Sequence, residues 1–258
     1  MIRGLQTLTN SFNVLTEKQK NLAANAANTN TPGYKSQTLL SSTTENVGVH
    51  NYTGGIEANQ RRDIGDIVFS NQLDEAVRNF SSGGLQSTDN KTDLAINGDA
   101  FFTVRNQAGD LYYTKNGNFT VNDEGNLITQ EGYEVLGIEP NGGMTPISVG
   151  TDLEHTFNVD SYGFVHTANQ APQFLYLTQF DDPNGLTSEG GTLFQGANGI
   201  PVGQGFQIDQ GYVESSNVDM VDVMTNMLQI SREFEANQRV LQSTDETLRK
   251  ATQEVGRT

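Results

Sequence analysis

The stretch NLAANAANTNTPGYK (residues 21–35) predicts where the first helix of the chain ends. Residues before and within it recur at alternating spacings of four and three, which places them on one face of a helix. Pro32 biases Thr31 away from helical backbone angles, and Pro-Gly suits the central positions of a type II turn. We therefore expect a helix that ends before Pro32. Its stripe comprises Met1, Leu5, Leu8, Phe12, Leu15, Gln19, Leu22 and Ala26.

The same stretch carries amides and no charge between its flanking lysines. Asn21, Asn25 and Asn28 are spaced by four and three, so they form a polar stripe beside the apolar one. Asparagine is a poor helix former, so repeating it costs helix stability unless the amides find partners. Two interpretations stay open: a frayed helix end in water, or a helix interface whose uncharged amides bond without the cost of burying charge.

A second heptad pattern occupies the other end of the chain. Ser216 and Asp219 fit a capping box at its start. An uninterrupted helix there reaches on the order of 50 Å, and a helix with one narrow apolar stripe needs a partner helix. Polar residues within the stripe are typical of coiled coils whose register they fix. The stripe comprises Met220, Val223, Met227, Ile230, Phe234, Asn237, Leu241, Thr244, Leu248, Ala251 and Val255.

Between the two helices the sequence is typical of short β-strands. Runs such as FFTVRN and QFLYLTQF alternate apolar with polar residues, and Gly and Asn punctuate them. Asn116-Gly117 predicts a type I′ hairpin, while Glu124-Gly125 and Glu131-Gly132 predict further reversals. We expect a mainly β protein with terminal α-helices: a short-stranded antiparallel β domain, closed or sandwich-like, flanked by N- and C-terminal coiled-coil helices.

These patterns divide the chain into four parts. Residues 36–84 resist a clear assignment: we interpret them as an extended linker with a short helix at SNQLDEAVRNF, residues 70–80. The expected parts are an N-terminal assembly helix and turn (1–35), the linker (36–84), the β domain (85–210) and a C-terminal assembly helix (211–258).

Composition excludes several classes of function. The net charge of −16 argues against nucleic acid and anionic membranes as partners, because both require clustered Lys and Arg. The chain has no Cys, so disulfides and thiolate sites are excluded. Only 34% of its residues are hydrophobic, below the usual share of about 45%. We therefore expect part of the chain to lack a core of its own and to be solvated, disordered or packed against something else. No stretch predicts a cleaved signal or membrane insertion.

No motif indicates catalysis, a cofactor or a metal. His50, His155 and His166 are far apart, and none has a second ligand at a typical metal-site spacing. NDEG resembles part of a calcium loop but lacks the closing Glu, so a turn is the simpler interpretation. No Gly-rich segment carries the Lys-Ser/Thr of a phosphate loop. We therefore expect neither an enzyme nor a cofactor.

Three motifs together resemble the bacterial flagellar axial proteins, the rod and hook family. They are AANAANTNTPGYK (residues 23–35), TDLAINGDAFFTVRNQAGDLYYTKNGNFTVNDEGNLITQEGYEVLG (92–137) and ESSNVDMVDVMTNMLQISREFEANQRVLQSTDETL (214–248). Length and a single modest β region are most similar to a distal-rod-type protein. The resemblance implies a structural subunit of the flagellar basal body, exported through the flagellar type III apparatus, that polymerises with itself and contacts other rod and hook proteins.

On that resemblance, the terminal stripes are an assembly interface. Three alternatives remain: a hook-type subunit, a secreted coiled-coil adhesin or carbohydrate-binding module with Tyr112, Tyr113 and Tyr176 in an exposed groove, and a hydrolase with paired carboxylates in an apolar pocket. The expected interface residues are Leu5, Leu8, Phe12, Leu15, Leu22, Asn25, Asn28, Met227, Ile230, Phe234, Asn237, Leu241 and Leu248.

Overall fold

The chain folds into two compact units, each assembled from separate parts of the sequence. The helical unit contains the described residues up to Ala26, those within Gln37–Val77 and those from Met220 onwards. The β unit contains Ala27–Ser36 and Arg78–Asp219. The structure is a computed structural model and describes residues 2–44, 46–53, 60–68, 70–138, 143–150, 157–168 and 171–255.

The first helix, α1, spans Ile2–Ala27 and ends where the sequence predicts. After it, the backbone N–H of Tyr34 donates to the carbonyl of Thr31 at 3.3 Å, and Gly33 has φ +68°. A positive φ at the third position is what a type II turn requires. The turn at Pro32-Gly33 is therefore confirmed.

Two pairs of strands follow α1. They are β1 (Gln37–Thr43), β2 (Val47–Thr53), β3 (Gln60–Ile67) and β4 (Asn71–Arg78). β1 pairs with β4. β2 pairs antiparallel with β3, and the register shifts at a bulge between Val49 and His50. The short helix expected at residues 70–80 is wrong, because β4 occupies that segment. Most of its side chains are exposed, so a helix there has no apolar face to bury.

The last helix, α2, spans Met220–Val255 and is 36 residues long. The long C-terminal helix is confirmed, but the capping box at Ser216 is wrong. Asn217 holds the preceding backbone outside the helix: its Oδ1 accepts from the N–H of Ser36 at 2.7 Å, and its Nδ2 donates to the carbonyl of Asn79 at 2.8 Å. Among the described residues, neither helix is apolar for long enough to cross a membrane.

The β unit is built from short strands and one 3₁₀ turn, Pro183–Gly185. Gly125 and Gly132 have φ of +84° and +87° and join consecutive antiparallel strands, so both predicted reversals are confirmed. The strands are β5 (Leu85–Ser87), β6 (Leu94–Asn97), β7 (Phe101–Arg105), β8 (Leu111–Thr114), β9 (Phe119–Val121), β10 (Leu127–Thr129), β11 (Glu134–Ile138), β12 (Met144–Pro146), β13 (Phe157–Val159), β14 (Phe164–Thr167), β15 (Gln173–Leu175), β16 (Leu177–Gln179), β17 (Thr187–Ser188), β18 (Leu193–Gln195), β19 (Ile200–Pro201), β20 (Gln207–Gln210) and β21 (Tyr212–Glu214).

One antiparallel sheet of 13 strands dominates the β unit. Its central path runs β13-β14-β15-β11-β7-β8-β18-β17, and two further pairs, β20-β6 and β21-β5, accompany it. The path has two ends in the described residues, so the expectation of a closed barrel is wrong. A mainly β protein with a helix at each end is confirmed. The sandwich and the coiled coil stay predictions.

The core of the β unit is apolar and rich in aromatic side chains. Phe102 is fully buried and meets Phe119 edge to face, with ring centroids 5.0 Å apart. A second cluster joins Phe101, Phe180 and Phe194. Edge-to-face pairs add about 0.5–1.5 kcal/mol beyond the burial of their area. Lys115, on the loop after β8, contacts the second cluster: its Nζ lies 5.2 Å from the centroid of the Phe101 ring.

The expected hairpin at Asn116-Gly117 is wrong. β8 and β9 do not pair with each other, and neither Asn116 nor Gly117 has a positive φ. Gly117 instead allows a close approach: its carbonyl accepts from the N–H of Leu94 at 2.9 Å, and an added Cβ would lie 1.5 Å from the carbonyl oxygen of Leu94. Glycine is needed there for space and not for a left-handed turn.

We expect Gly117→Ala to destabilise the β unit by about 1–3 kcal/mol or more, because the new methyl group displaces backbone. Gly185→Ala is the matched control, since nothing lies within 4 Å of the place that its new methyl group would take and its φ is ordinary. It should change stability by less than about 0.5 kcal/mol. Urea unfolding followed by tyrosine near-ultraviolet circular dichroism measures both, and equal effects would contradict the close approach.

Candidate assembly interface

The two helices contact each other within the helical unit. The rings of Phe12 and Phe234 lie with centroids 5.7 Å apart, and the Nδ2 of Asn237 donates to the hydroxyl of Ser11 at 2.9 Å. Phe12, Phe234 and Asn237 are all half-buried. One apolar and one polar position of the predicted stripes therefore meet across this pair of helices.

The other predicted interface residues differ in burial. Leu15 and Ile230 are buried, at 5% and 7% exposure, and Val223 joins them at 5%. Leu241 is exposed at 39%. The half-buried residues retain surface that a further helix can cover. They are Leu5, Leu8, Leu22, Met227 and Leu248.

The amides of the opening stretch have partners in their own chain. Asn25 is buried, and its side chain exchanges two hydrogen bonds with the backbone of Gln37, at 2.8 Å and 3.1 Å. The Oδ1 of Asn28 accepts from the hydroxyl of Thr31 at 3.1 Å. Asn25 is thus an ordered residue that fixes the start of β1. The role of both amides in assembly stays a prediction.

A second apolar stripe on α2 escaped the sequence analysis. Val221, Met224 and Leu228 are exposed at 71%, 58% and 63%. Their spacings of three and four place them on one helix face, one position along from the predicted stripe. The spacing of Val221, Met224 and Leu228 is present in the sequence, but the heptad assignment included only the stripe that begins at Met220.

A buried ion pair closes the β unit around the segment that follows α1. Lys35 Nζ and Glu214 Oε1 are 2.7 Å apart, and each side chain is only 1% exposed. Lys35 also donates to the carbonyl of Ser81 at 2.9 Å, and the N–H of Gly83 donates to Glu214 Oε1 at 2.9 Å. We call this arrangement the Lys35–Glu214 anchor. Hydrogen bonds at Lys35 Nζ and Glu214 Oε1 offset part of the cost of burying the two charges, while Glu214 Oε2 is buried without a hydrogen-bond partner among the described residues.

The backbone on either side of the anchor is equally constrained. The N–H of Gly33 donates to the carbonyl of Glu214 at 2.7 Å. Gly33 also packs so closely that an added Cβ would lie 2.3 Å from the backbone nitrogen of Asn116. The carbonyl of Ser36 accepts from the N–H of Asn79 at 2.9 Å. The turn that ends the helical stretch is therefore built into the β unit.

Sequence reasoning named Lys35 and Glu214 only as the ends of motifs. Lys35 is the last residue of the N-terminal motif, and Glu214 is the first residue of the C-terminal one. Lys and Glu are exposed in most proteins and become fully buried only when they are paired. Their burial therefore cannot be predicted from the sequence unless the partner is known. Nothing in the spacing of 179 residues indicated this pair.

Tyr112, Tyr113 and Tyr176 do not line one exposed groove together, because Tyr113 is buried while the other two are half-buried. Tyr113 is buried against Phe180, with ring centroids 4.8 Å apart, and Tyr112 packs against Tyr133.

Of the three histidines, His155 lies outside the described residues. In the part of the chain that is described, no three His, Cys, Asp or Glu side chains are grouped to hold a metal ion.

The hydrolase alternative requires two acids in an apolar pocket. A cavity of about 360 Å³ in the β unit does include Asp99 and Asp181 among its lining residues, together with Lys115 and phenylalanine rings. Its geometry alone does not exclude hydrolysis. The relatives of the chain decide the question.

Two family models match the chain. The model described as the C-terminal region of the flagellar basal-body rod FlgEFG proteins matches residues 209–254, and the D1 domain of the flagellar hook proteins FlgE/F/G matches residues 95–167. The chain is 31% identical to the basal-body rod protein FlgF of Caulobacter vibrioides, over 92% of this chain and 91% of the relative. The chain belongs to the flagellar basal-body rod protein family.

Other rod proteins are similar over most of their length. FlgG of Agrobacterium fabrum is 32% identical over 87% of this chain and 88% of its own. FlgG of Borreliella burgdorferi is 29% identical over 96% and 97%. The rod protein family is structural and not enzymatic, so the hydrolase alternative is excluded. In this rod-family chain, α2 lies almost entirely within the C-terminal family match.

We expect Lys35→Met to lower the free energy of unfolding by about 3–5 kcal/mol, because it leaves the Glu214 carboxylate buried without a cation. Lys20→Met is the matched control. Lys20 Nζ and Glu17 Oε1 are also 2.7 Å apart, but the Lys20 side chain is 67% exposed. That loss should stay below about 1 kcal/mol. Urea unfolding of both variants measures the difference.

The double variant Lys35→Met/Glu214→Leu separates pairing from packing. It removes both charges, so it should recover most of the stability that Lys35→Met loses. A double variant as unstable as Lys35→Met would show that packing around the methylene groups matters more than the charges.

Proposed function

We propose that the chain is a structural subunit of the flagellar basal-body rod that polymerises through its terminal helices and transmits torque. The observation that carries the proposal is the apolar face of α2, formed by Val221, Met224 and Leu228, which is exposed on a helix inside the C-terminal family match. Exposed apolar faces on long helices are typical of surfaces that bind other helices.

In this proposal, the predicted stripes and the exposed face of α2 serve different contacts. The half-buried stripe residues and Leu241 extend the pairing of α1 with α2 into a coiled coil. Asn237 fits the polar position that fixes register in such coils, since it already bonds Ser11. Val221, Met224 and Leu228 contact helices of neighbouring subunits. Contacts of this kind, which join different surfaces and do not close, generate helical tubes.

The flagellar basal body is the location that the relatives' names give, and the remaining expectations follow from it. We propose a distal-rod-type position, because the rod proteins FlgF and FlgG align with the chain over nearly their whole length. The proposed partners are other copies of this chain, other rod and hook proteins, and the type III export apparatus of the flagellum. No nucleic acid partner is proposed, since the net charge is −16.

Basal bodies from a strain that lacks this chain test the proposal and the hook-type alternative together. A truncated rod, restored by the wild-type chain along with motility, supports a rod subunit. A complete rod that lacks only its hook supports the hook-type subunit. Normal basal bodies and normal motility would overturn both.

We expect Leu228→Glu to raise the critical concentration for polymerisation by about tenfold or more. Burying one leucine contributes about 1.5–3 kcal/mol, and the substitution replaces that contribution with a charge. Asn226→Glu is the matched control, because Asn226 is exposed on the opposite face of α2 and gains the same charge. Sedimentation and electron microscopy measure the polymer. If both variants inhibited polymerisation equally, the added charge would be the cause and the apolar face would not be a contact surface.

We expect added salt to favour polymerisation of the wild-type chain. Subunits with a net charge of −16 repel each other, and at 0.1 M salt that repulsion is screened beyond about 10 Å. Light scattering between about 10 mM and 100 mM salt measures the change. Polymerisation that is independent of salt over this range would contradict a charge-limited assembly.

A further inference from the structure

The cavity in the β unit is lined by one lysine that has no part in the proposed assembly. Lys115 lies on the loop after β8 and is only 3% exposed, yet it is among the residues that line the cavity. The volume of about 360 Å³ falls at the small end of the range for small-molecule sites. A ligand with a single ring fits within that volume.

The two buried lysines of the β unit differ in their partners. Lys35 has a carboxylate oxygen at 2.7 Å, whereas Lys115 has no Asp or Glu oxygen within 4.0 Å among the described residues. Lys115 Nζ instead donates to the backbone carbonyl of Gly98 and lies 5.2 Å from the centroid of the Phe101 ring. A carbonyl and a ring stabilise an ammonium less than a carboxylate does.

The surroundings of Lys115 increase the fraction of its amine that is neutral. Burial lowers the pKa of Lys115 to about 8; the charge of Lys35 also lowers it, while Glu214 and Asp99 oppose the shift. At pH 7, a lysine with a pKa of about 8 is about one-tenth free amine, against about 0.03% for an ordinary lysine. The free amine is the nucleophilic form of lysine.

The walls of the cavity define the ligand. The rings of Phe80, Phe101 and Phe180 offer faces and edges to an aromatic ring. Asp99 and Asp181 give the lining two acids against one amine, so an anionic ligand is disfavoured. An uncharged aromatic molecule with an electrophilic carbon can contact the rings and react with the amine without bringing a negative charge near Asp99 and Asp181.

We propose that Lys115 is a covalent modification site whose amine captures small, uncharged aromatic aldehydes. The nitrogen lone pair attacks the carbonyl carbon and forms a C–N bond; a proton passes from nitrogen to oxygen and gives a carbinolamine. Loss of water then breaks the C–O bond and leaves an imine. The step consumes only amine and aldehyde and releases water, so no oxidant or reductant takes part.

Benzaldehyde and the full chain test this site, with cyanoborohydride added to trap the imine and peptide mass spectrometry to locate it. At pH 7, we expect the benzyl adduct on Lys115 to form at least tenfold faster than on the exposed Lys20 and Lys91. Lys35 is the internal control, because it is equally buried but bound to Glu214, and it should stay unmodified. Faster adducts on the exposed lysines would overturn the proposal.

Two measurements on the wild-type chain need no variant. The rate at Lys115 should level off above about pH 8, since the amine is then mostly neutral. Benzyl alcohol, which fills the cavity but cannot react, should slow the reaction at Lys115 alone. A rate at Lys115 that keeps rising beyond pH 10, or one that benzyl alcohol leaves unchanged, would contradict the site.

The charge of the cavity provides the last control. We expect 4-carboxybenzaldehyde to react more slowly than benzaldehyde at Lys115, because Asp99 and Asp181 repel it. Its rates at Lys20 and Lys91 set the scale for intrinsic reactivity. If the ratio of the rate with 4-carboxybenzaldehyde to the rate with benzaldehyde were the same at Lys115 as at Lys20 and Lys91, the cavity would not select its ligand.

Discussion

The Lys35–Glu214 anchor is the interaction on which the architecture of the β unit depends. It joins the N-terminal part of the chain to residues 179 positions later, in a place where both side chains are 1% exposed. Removing a charge pair from water costs several kcal/mol, so such a pair persists only where further hydrogen bonds support it. Ser81 and Gly83 supply these bonds. The anchor thereby fixes where the segment after α1 must lie.

Local patterns predicted much of the fold because their causes are local. Helix periodicity, Pro32 and the glycines at 125 and 132 act within a few residues, and each produced the expected element. The hairpin predicted at Asn116-Gly117 was wrong for a physical reason. A glycine required for a positive φ cannot be distinguished in the sequence from a glycine required for space, and Gly117 is of the second kind. β4 misled because its pairing with β1 depends on residues outside the window that suggested a helix.

The helices and their stripes were predictable in position, but the contacts of the stripe residues were not. The stripes placed Phe12, Phe234 and Asn237 on helix faces that need a partner helix. In the structure, the ring of Phe12 contacts that of Phe234, and Asn237 bonds Ser11. The partner of Asn25 is a backbone segment beyond the turn, which no helical spacing identifies. The Lys35–Glu214 anchor and the environment of Lys115 depend on distant strands coming together. Sequence shows which groups are present, and tertiary structure decides which of them lose water.

The β unit draws on both Ala27–Ser36 and Arg78–Asp219, and this division has a kinetic consequence. β5 must pair with β21, and Lys35 must meet Glu214, so a chain synthesised from its N-terminus lacks one half of each contact until nearly the whole unit has been made. Closing such long loops costs entropy before the contacts repay it. The β unit is therefore complete only once β21, its last described strand, has been made.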